Sequence, residues 1–379
     1  MPQRHRRLTM TKSKPKTPRR RGGDPNAPTW EMWKDMVPYQ SFIVTDKDNV
    51  QHKFAKGDVA SILPFARTWD DKKELVQHDF WIGKIREIKA KVDEDETNEV
   101  WVDVQWYYSG SNVGDVIKSF DVSACGKYER VKSDHHDFVS SEAFNDVETL
   151  LKLNERNPYQ EYIRDDVFYQ RHTFEVQARK VKFEQPQPGS NTCTCNKPYS
   201  PDDKTTLMHF CPRPSCRKWY HSTCLLRAKS KERRVASWEM RLLVSSPDSD
   251  DTLVLEELVT SPPKKRQRRR PSSDDAISIS PRMSLNDALE LIPDDVLRIA
   301  QQPIVKGHSY KGGGIVGNVN AVACARKMVY DALSGTDLPD DWRDVLTEVG
   351  KKELSDAIVK LEDRRTIPAF ICPQCEGAI

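Results

Sequence analysis

Six residues in one stretch of 32, Cys193, Cys195, Cys211, Cys216, His221 and Cys224, are of the two types that hold zinc through thiolate and imidazole. A structural zinc takes four such ligands in a tetrahedron, so six fill one site and half of another. The chain's last two cysteines, Cys372 and Cys375, supply the missing pair after 147 intervening residues. The spacings are C-x-C, x15, C-x4-C, x4, H-x2-C and finally C-x2-C. Short spacings let both donors of a pair turn onto one metal, and eight donors make two closed sites. A closed site staples the chain and leaves no position for a catalytic water. Spacing alone does not decide whether the ligands group in sequence order or interleave. Cys125 and Cys324 are left over; far apart in sequence, they read as ordinary buried thiols.

The elements that must position these residues belong to a chain of 379 residues, long enough for two or three domains. Only 37% is hydrophobic and 31% is charged, so sizeable parts are expected to stay unpacked. No apolar run reaches the roughly 18 residues of a membrane span, and the basic N-terminus lacks the apolar core of a secretory signal. An intracellular protein is expected, where clustered cysteines mean metal more often than disulfides. Residues 1–23 carry nine Lys/Arg and no acid, and "KKRQRRR" at 264–270 adds six more. Taking those cations from a net charge of +3 leaves −12 on the remainder. An acidic body with basic tails suits docking to a basic partner while the tails touch phosphate, including non-specific contact with DNA.

Residues 1–28 read as a disordered basic tail. From residue 50 to 183 the pattern is β-rich: "FWIGKIREIKA" and "VWVDVQWYY" alternate apolar and polar residues, with "DEDETNE" as a hairpin loop. "EQPQPGSN" links this region to the cysteine stretch at 191–228. Residues 229–283, rich in Ser, Pro and charge, read as a disordered linker. A small helical subdomain is expected over 284–365. Its first helix follows Ser284 with Leu285, Ala288, Leu289 and Ile292, and its second carries Val319, Val322, Ala323, Tyr330 and Leu333. Trp342, Val345, Leu346 and Val349 mark a third, and Leu354, Ile358 and Leu361 a fourth. Residues 366–379 return the last ligand pair.

The cysteine stretch resembles a PHD finger in its ligand order, in "KWYH" with Trp219 two residues before the histidine, and in "NKPYSPDD" after the first pair. The resemblance implies an interleaved cross-brace. Cys193, Cys195, His221 and Cys224 would hold one zinc ion, and Cys211, Cys216, Cys372 and Cys375 the other. It also implies a histone H3 N-terminus added as a strand beside "LMHF". Tyr199, Met208 and Trp219 would then cage a methyl-lysine, while Asp202 and Asp203 meet basic groups. Packing of Tyr199 and Trp219 on the zinc core is the competing reading. The four-residue spacing of Cys211 and Cys216 and the long gap before Cys372 depart from the family. RING domains place His fourth, where this chain has Cys216, so a ubiquitin ligase is disfavoured.

The region before it resembles a BAH domain, through "DFWIGKIREI", "VWVDVQWYYSGSNVGD", "KSDHHDF" and "DDVFYQRHTFEV". The pairing is similar to the BAH–PHD chromatin readers of plants and fungi, whose BAH modules box trimethylated lysine 27 of histone H3. The matching positions are Trp81, Trp106 and Tyr108 for the box, and His135 and Asp137 for the peptide groove. Trp106 and Tyr108 are two apart on one strand and share a face, and Trp81 stands on a neighbouring strand. Use of these rings as core is the competing reading.

Lys264, Lys265, Arg266, Arg268, Arg269 and Arg270 form a nuclear-import candidate. Ser246, Ser261 and Ser280 precede prolines and are weak phosphorylation candidates. "GGGIVG" at 312–317 fits a dinucleotide-binding pattern, but no strand precedes it and no βαβ unit surrounds it. The expected fold is multidomain: a β-rich BAH domain and a two-zinc PHD finger interrupted by a disordered segment and a small helical subdomain. The expected function is a non-enzymatic nuclear chromatin reader that binds histone H3 tails and the nucleosome. The alternative is a scaffold whose modules bind protein partners, its helical insert docking a corepressor.

Overall fold

Aromatic and β-branched residues that alternate with polar ones suit a pleated, half-buried surface. They build the two longest strands of the computed structural model, β5 (Trp81–Val92) and β6 (Asn98–Tyr108). The structure describes residues 26–46, 49–63, 75–92, 98–183, 193–228, 247–248, 289–310, 312–333, 336–361, 367 and 370–379. The basic tail to residue 25, the acidic link at 93–97, the linker at 184–191, the run at 264–270, the three Ser-Pro serines and Ser284, Leu285 and Ala288 lie outside these residues. The chain divides into two compact units, Met1–Trp106 with Asp134–Glu148, and Tyr107–Ser133 with Thr149–Ile379. The β-rich segment expected over 50–183 is therefore shared between them.

The first unit starts well before residue 50. Helix α1 (Trp30–Asp35) is capped by Thr29, whose hydroxyl accepts from the Met32 N–H. Its Trp33 packs with Met36 and Trp101, and stacks on Phe138 at 4.4 Å. Strand β1 (Val37–Tyr39) pairs antiparallel with the far end of β5, and β4 (Val59–Ile62) with its near end. Strands β2 (Ser41–Thr45) and β3 (Gln51–Ala55) form a hairpin. With β7 (Val131–Ser140) and β8 (Phe144–Val147), the strand order is β7-β6-β5-β4-β8. Phe42, Phe54 and Phe144 close the core beside β4, their centroids 5.1 to 5.3 Å apart.

The second unit includes α2 (Gly110–Val116), and in it the first residues of β7 pair parallel with β11 (His172–Glu175), which pairs antiparallel with β12 (Lys180–Phe183). Strands β9 (Leu150–Lys152) and β10 (Phe168–Gln170) run parallel. The cysteine stretch forms β13 (Met208–Cys211), β14 (Lys218–His221) and α3 (Ser222–Arg227). The insert adds α4 (Asp294–Ala300), β15 (Val305–Lys306), α5 (Val319–Leu333) and α6 (Trp342–Thr347). Its helices do not form a separate subdomain. Val296, Ile299, Val322 and Val329 share one buried core with Phe210, Trp219 and Phe370 of the finger and with Ile163 and Tyr169 before it. The fourth expected helix shortens to a single 3-10 turn, Leu354–Ala357, and Leu361 instead bridges Tyr310. The Asp356 carboxylate accepts the Glu353 N–H at 3.0 Å, closing a capping box on this turn, and the backbone is already extended at Ile358.

A buried ion pair ties this unit together. Arg171 donates from Nε to Glu129 Oε1 at 2.8 Å and from Nη2 to Oε2 at 2.9 Å. The same Nη2 donates to the carbonyl oxygens of Ala124 and Tyr199. Removing one partner of such a pair leaves an uncompensated charge and costs about 3–5 kcal/mol. Glu129→Ala should therefore destabilise the zinc-loaded chain by about that amount in urea unfolding, whereas an exposed pair would lose at most about 1 kcal/mol.

Candidate functional site

The zinc-type residues come together in two groups of four. Cys193, Cys195, His221 and Cys224 form one; Cys211, Cys216, Cys372 and Cys375 form the other. In each, the donor atoms lie within 4.8 Å of one another. This is the interleaved grouping. A tetrahedral zinc with bonds near 2.3 Å separates two sulfurs by about 3.8 Å. The Sγ atoms of Cys211 and Cys375 lie 3.3 Å apart, and those of Cys216 and Cys372 3.6 Å. His221 presents Nδ1 to Cys195 Sγ at 3.3 Å. The two donor sets thus fit zinc, which when bound would cross-link the strands that carry them.

Local backbone explains the unusual four-residue spacing. The N–H groups of Cys216 and Arg217 both donate to the Arg213 carbonyl at 2.9 Å, and Arg217 takes a φ of 44°. This turn returns the chain into β14 with Cys216 pointing inward. Tyr220, missed by sequence reasoning, brings its hydroxyl to 3.5 Å from Cys216 Sγ and 3.6 Å from Cys372 Sγ. An O–H aimed at thiolates orients and tunes a metal site.

The residues assigned to a histone tail in the finger are committed elsewhere. Tyr199, Met208 and Trp219 are 3%, 2% and 4% exposed. The edge of β13 carries β15, antiparallel, with Met208 opposite Lys306 and His209 opposite Val305. The strand expected from a histone tail beside "LMHF" is therefore supplied by the chain itself. Lys306 Nζ stands 4.1 Å from the Tyr199 ring centroid and 4.2 Å from that of Trp219. It also donates to Glu155 Oε1 at 2.5 Å. Burial alone would raise the Glu155 carboxyl, but Lys306 and Arg171 bring it down to about 2. Asp202 accepts from the Lys127 N–H at 2.7 Å. Asp203 accepts from the hydroxyls of Thr206 and Thr205 and from the Thr205 N–H, which hold it below the usual carboxylate range. Asp203 braces its own loop, and Asp202 ties that loop to the backbone at Lys127. A single lysine after "PIV" in an otherwise apolar run was the only sequence sign of Lys306.

In the first unit, Trp81 at the start of β5 meets Trp106 of β6 edge to face, with centroids 5.3 Å apart and planes at 74°. The Trp106 Nε1–H donates to Asp137 Oδ2 at 3.2 Å, and His135 Nε2 lies 3.1 Å from the same oxygen. His135 and Asp137 alternate on β7 and so share a face. On the other side of β6, Asp103 pairs with His136 at 3.0 Å and Arg86 at 3.6 Å. Burial raises the Asp103 carboxyl, against the pull of both cations. Trp81 is half-buried, but Trp106 is only 1% exposed. Tyr108 belongs to the second unit, where its ring meets Phe174 edge-on at 5.3 Å and is 8% exposed. The expected box of three open rings is thereby corrected. Trp106 and Tyr108 do share a strand face, but that face is packed, and Trp81 is the accessible ring.

No protein-family model matches the chain, and no curated protein does. Among solved structures, it is similar to the yeast Rsc2 BAH domain at 12% sequence identity with a TM-score of 0.25. The alignment covers 39% of this chain and 54% of that one, about half of that domain's length. Among the described residues, no helix is long and apolar enough to cross a membrane.

Metal analysis of the purified chain should return two zinc ions. Cys372→Ser should leave one, held by Cys193, Cys195, His221 and Cys224. A count of one in the unmutated chain would break the assignment of Cys372 and Cys375.

Proposed function

We propose that the chain is a nuclear chromatin reader without catalytic activity, whose first unit binds a methylated lysine of a histone H3 tail. Trimethylated lysine 27 is the ligand implied by the sequence resemblance. The observation that carries this reading is the cluster of Trp81, Trp106, Asp137 and His135. A methylammonium is a diffuse, weakly hydrated cation, and an aromatic face attracts it by about 0.5–2 kcal/mol per contact. Trp81 offers the accessible ring, Trp106 forms the floor, and the Asp137 carboxylate adds negative charge beside Trp106. The acidic body suits a basic histone tail, and the basic segments suit DNA phosphate on the same nucleosome. Import would run through the basic run at 264–270. A second reading, a zinc-stapled scaffold that binds proteins without methyl-lysine readout, draws support from the burial of Trp106 and the pairing of Tyr108 with Phe174. In that reading the insert docks a corepressor.

Calorimetric titration of the full chain with H3 peptides around lysine 27, unmodified and trimethylated, separates the two. Loss of one ring contact, about 1.4 kcal/mol, predicts roughly tenfold weaker binding of the trimethylated peptide by Trp81→Ala. Asp137→Asn should weaken it in the same direction. Trp106→Ala is the wrong probe, because removing a buried tryptophan costs about 3–5 kcal/mol of stability. Equal affinity of the unmutated chain for both peptides would favour the scaffold.

A further inference from the structure

The finger contains a lysine site, and the lysine in it belongs to the same chain. We infer that the pocket of Tyr199, Trp219 and Glu155 recognises a lysine ammonium that keeps an N–H, presented on an extended strand, and that Lys306 is its permanent occupant. The finger then reads its own insert and is closed to peptides from other molecules. This inference uses only the second unit and stands apart from methyl-lysine reading in the first.

Three sets of contacts carry it. The first is chemical. Lys306 Nζ faces two aromatic rings at 4.1 and 4.2 Å while donating to Glu155 Oε1, and its side chain is 1% exposed. A buried ammonium persists only when paired in this way. The carboxylate requires an N–H from the cation, which a trimethylated nitrogen lacks, so the site excludes the trimethylated state. Burial outweighs the Glu155 charge and draws the Lys306 ammonium down to about 8.

The second set is the backbone, engaged on both edges of β15. On one side lies β13, with the Phe210 N–H donating to the Ile304 carbonyl at 2.9 Å. On the other, Asn318 accepts the Val305 N–H through Oδ1 at 2.8 Å and donates its own N–H to the Val305 carbonyl at 3.2 Å. Two glycines permit this approach. A Cβ on Gly307, whose φ is +145°, would stand 2.1 Å from the Thr206 carbonyl oxygen. One on Gly317, with φ +76°, would stand 1.9 Å from that of Val305. The last glycine of "GGGIVG" therefore serves strand β15, not a dinucleotide.

The third set makes the occupancy permanent. Ile304 is buried in the same core as Phe210, Trp219 and the faces of α4 and α5, and Val305 beside it is fully buried. Freeing Lys306 would pull β15 out of that core and leave Glu155 without its nearest cation. A peptide in solution must also compete with a tethered strand, whose effective concentration is of millimolar order.

Amine-reactive labelling of the zinc-loaded full chain, read lysine by lysine by mass spectrometry, tests the site. Lys306 should react at least about tenfold more slowly than Lys351, whose side chain is 54% exposed, as expected where reaction requires opening of a packed region. Comparable rates at the two lysines would overturn the assignment. Hydrogen exchange of residues 303–307 with excess N-terminal H3 peptide, methylated or not, tests the closure. Unchanged exchange there supports it; faster exchange there means the strand is displaced and the finger is open to outside ligands.

Discussion

Cys216 and Cys372 stand 156 positions apart in the chain and 3.6 Å apart in space. Everything in the second unit must satisfy that meeting. Closing a flexible loop of roughly 150 residues costs only about 2 kcal/mol more than closing one of roughly 20. A structural zinc contributes on the order of 10–16 kcal/mol, so the metal outweighs the added entropy several times over. Part of the intervening chain is also folded. Helices α4 and α5 bury Val296, Ile299, Val322 and Val329 against Phe210 and Trp219. The insert is thereby a wall of the finger, and hydrophobic burial and metal ligation reinforce one another.

Within that wall, charge sets the register. Glu129, Arg171, Glu155 and Lys306 alternate in sign, and link the segment before the finger to the strand that completes it. Such a network adds little net stability over a well-packed apolar core, because each charge must first leave water. What it does supply is discrimination. Strand β15 is only two residues long, and a slip of one residue would turn Lys306 to the opposite face and bring Val305 toward the pocket. The aliphatic side chain would leave Glu155 without its ammonium. The slipped pairing is therefore penalised by both partners at once, and one arrangement is selected from several similar in apolar burial.

Part of this architecture was legible from residue types and part was not. The eight ligands were readable from their chemistry and spacing, although their interleaving came from a resemblance. Period-two alternation located β5 and β6. It could not say which way a face points when both are packed, as at Trp101, Val102, Asp103 and Val104, all buried. That is why Trp106 and Tyr108 were correctly placed on one face and wrongly expected to be open. The start of the first unit at Trp30 was missed because α1 and β1 are too short to show a period. The spacing of Leu354, Ile358 and Leu361 fits a helix, and a capping box starts one, yet the backbone turns extended at Ile358 after a single turn. Lys306 was invisible for another reason: its partners Glu155, Tyr199 and Trp219 come from more than 80 positions away, and no local pattern encodes such a meeting.

The two aromatic sites differ in one respect that bears on which cations they suit. In the finger, Glu155 Oε1 accepts directly from Lys306 Nζ, so the acidic partner is spent on an N–H bond and the cation must keep a hydrogen. In the first unit, Asp137 Oδ2 already receives the Trp106 indole N–H and lies against His135. A cation entering beside Trp81 would feel that carboxylate mainly through space, an attraction that needs no donor hydrogen and survives methylation. Full methylation also lowers the hydration that an ammonium must shed at an aromatic face. On the proposed reading, the same two ingredients, an indole and a carboxylate, would serve different states of a lysine side chain: Glu155 Oε1 takes an N–H, whereas Asp137 Oδ2 already holds the Trp106 indole.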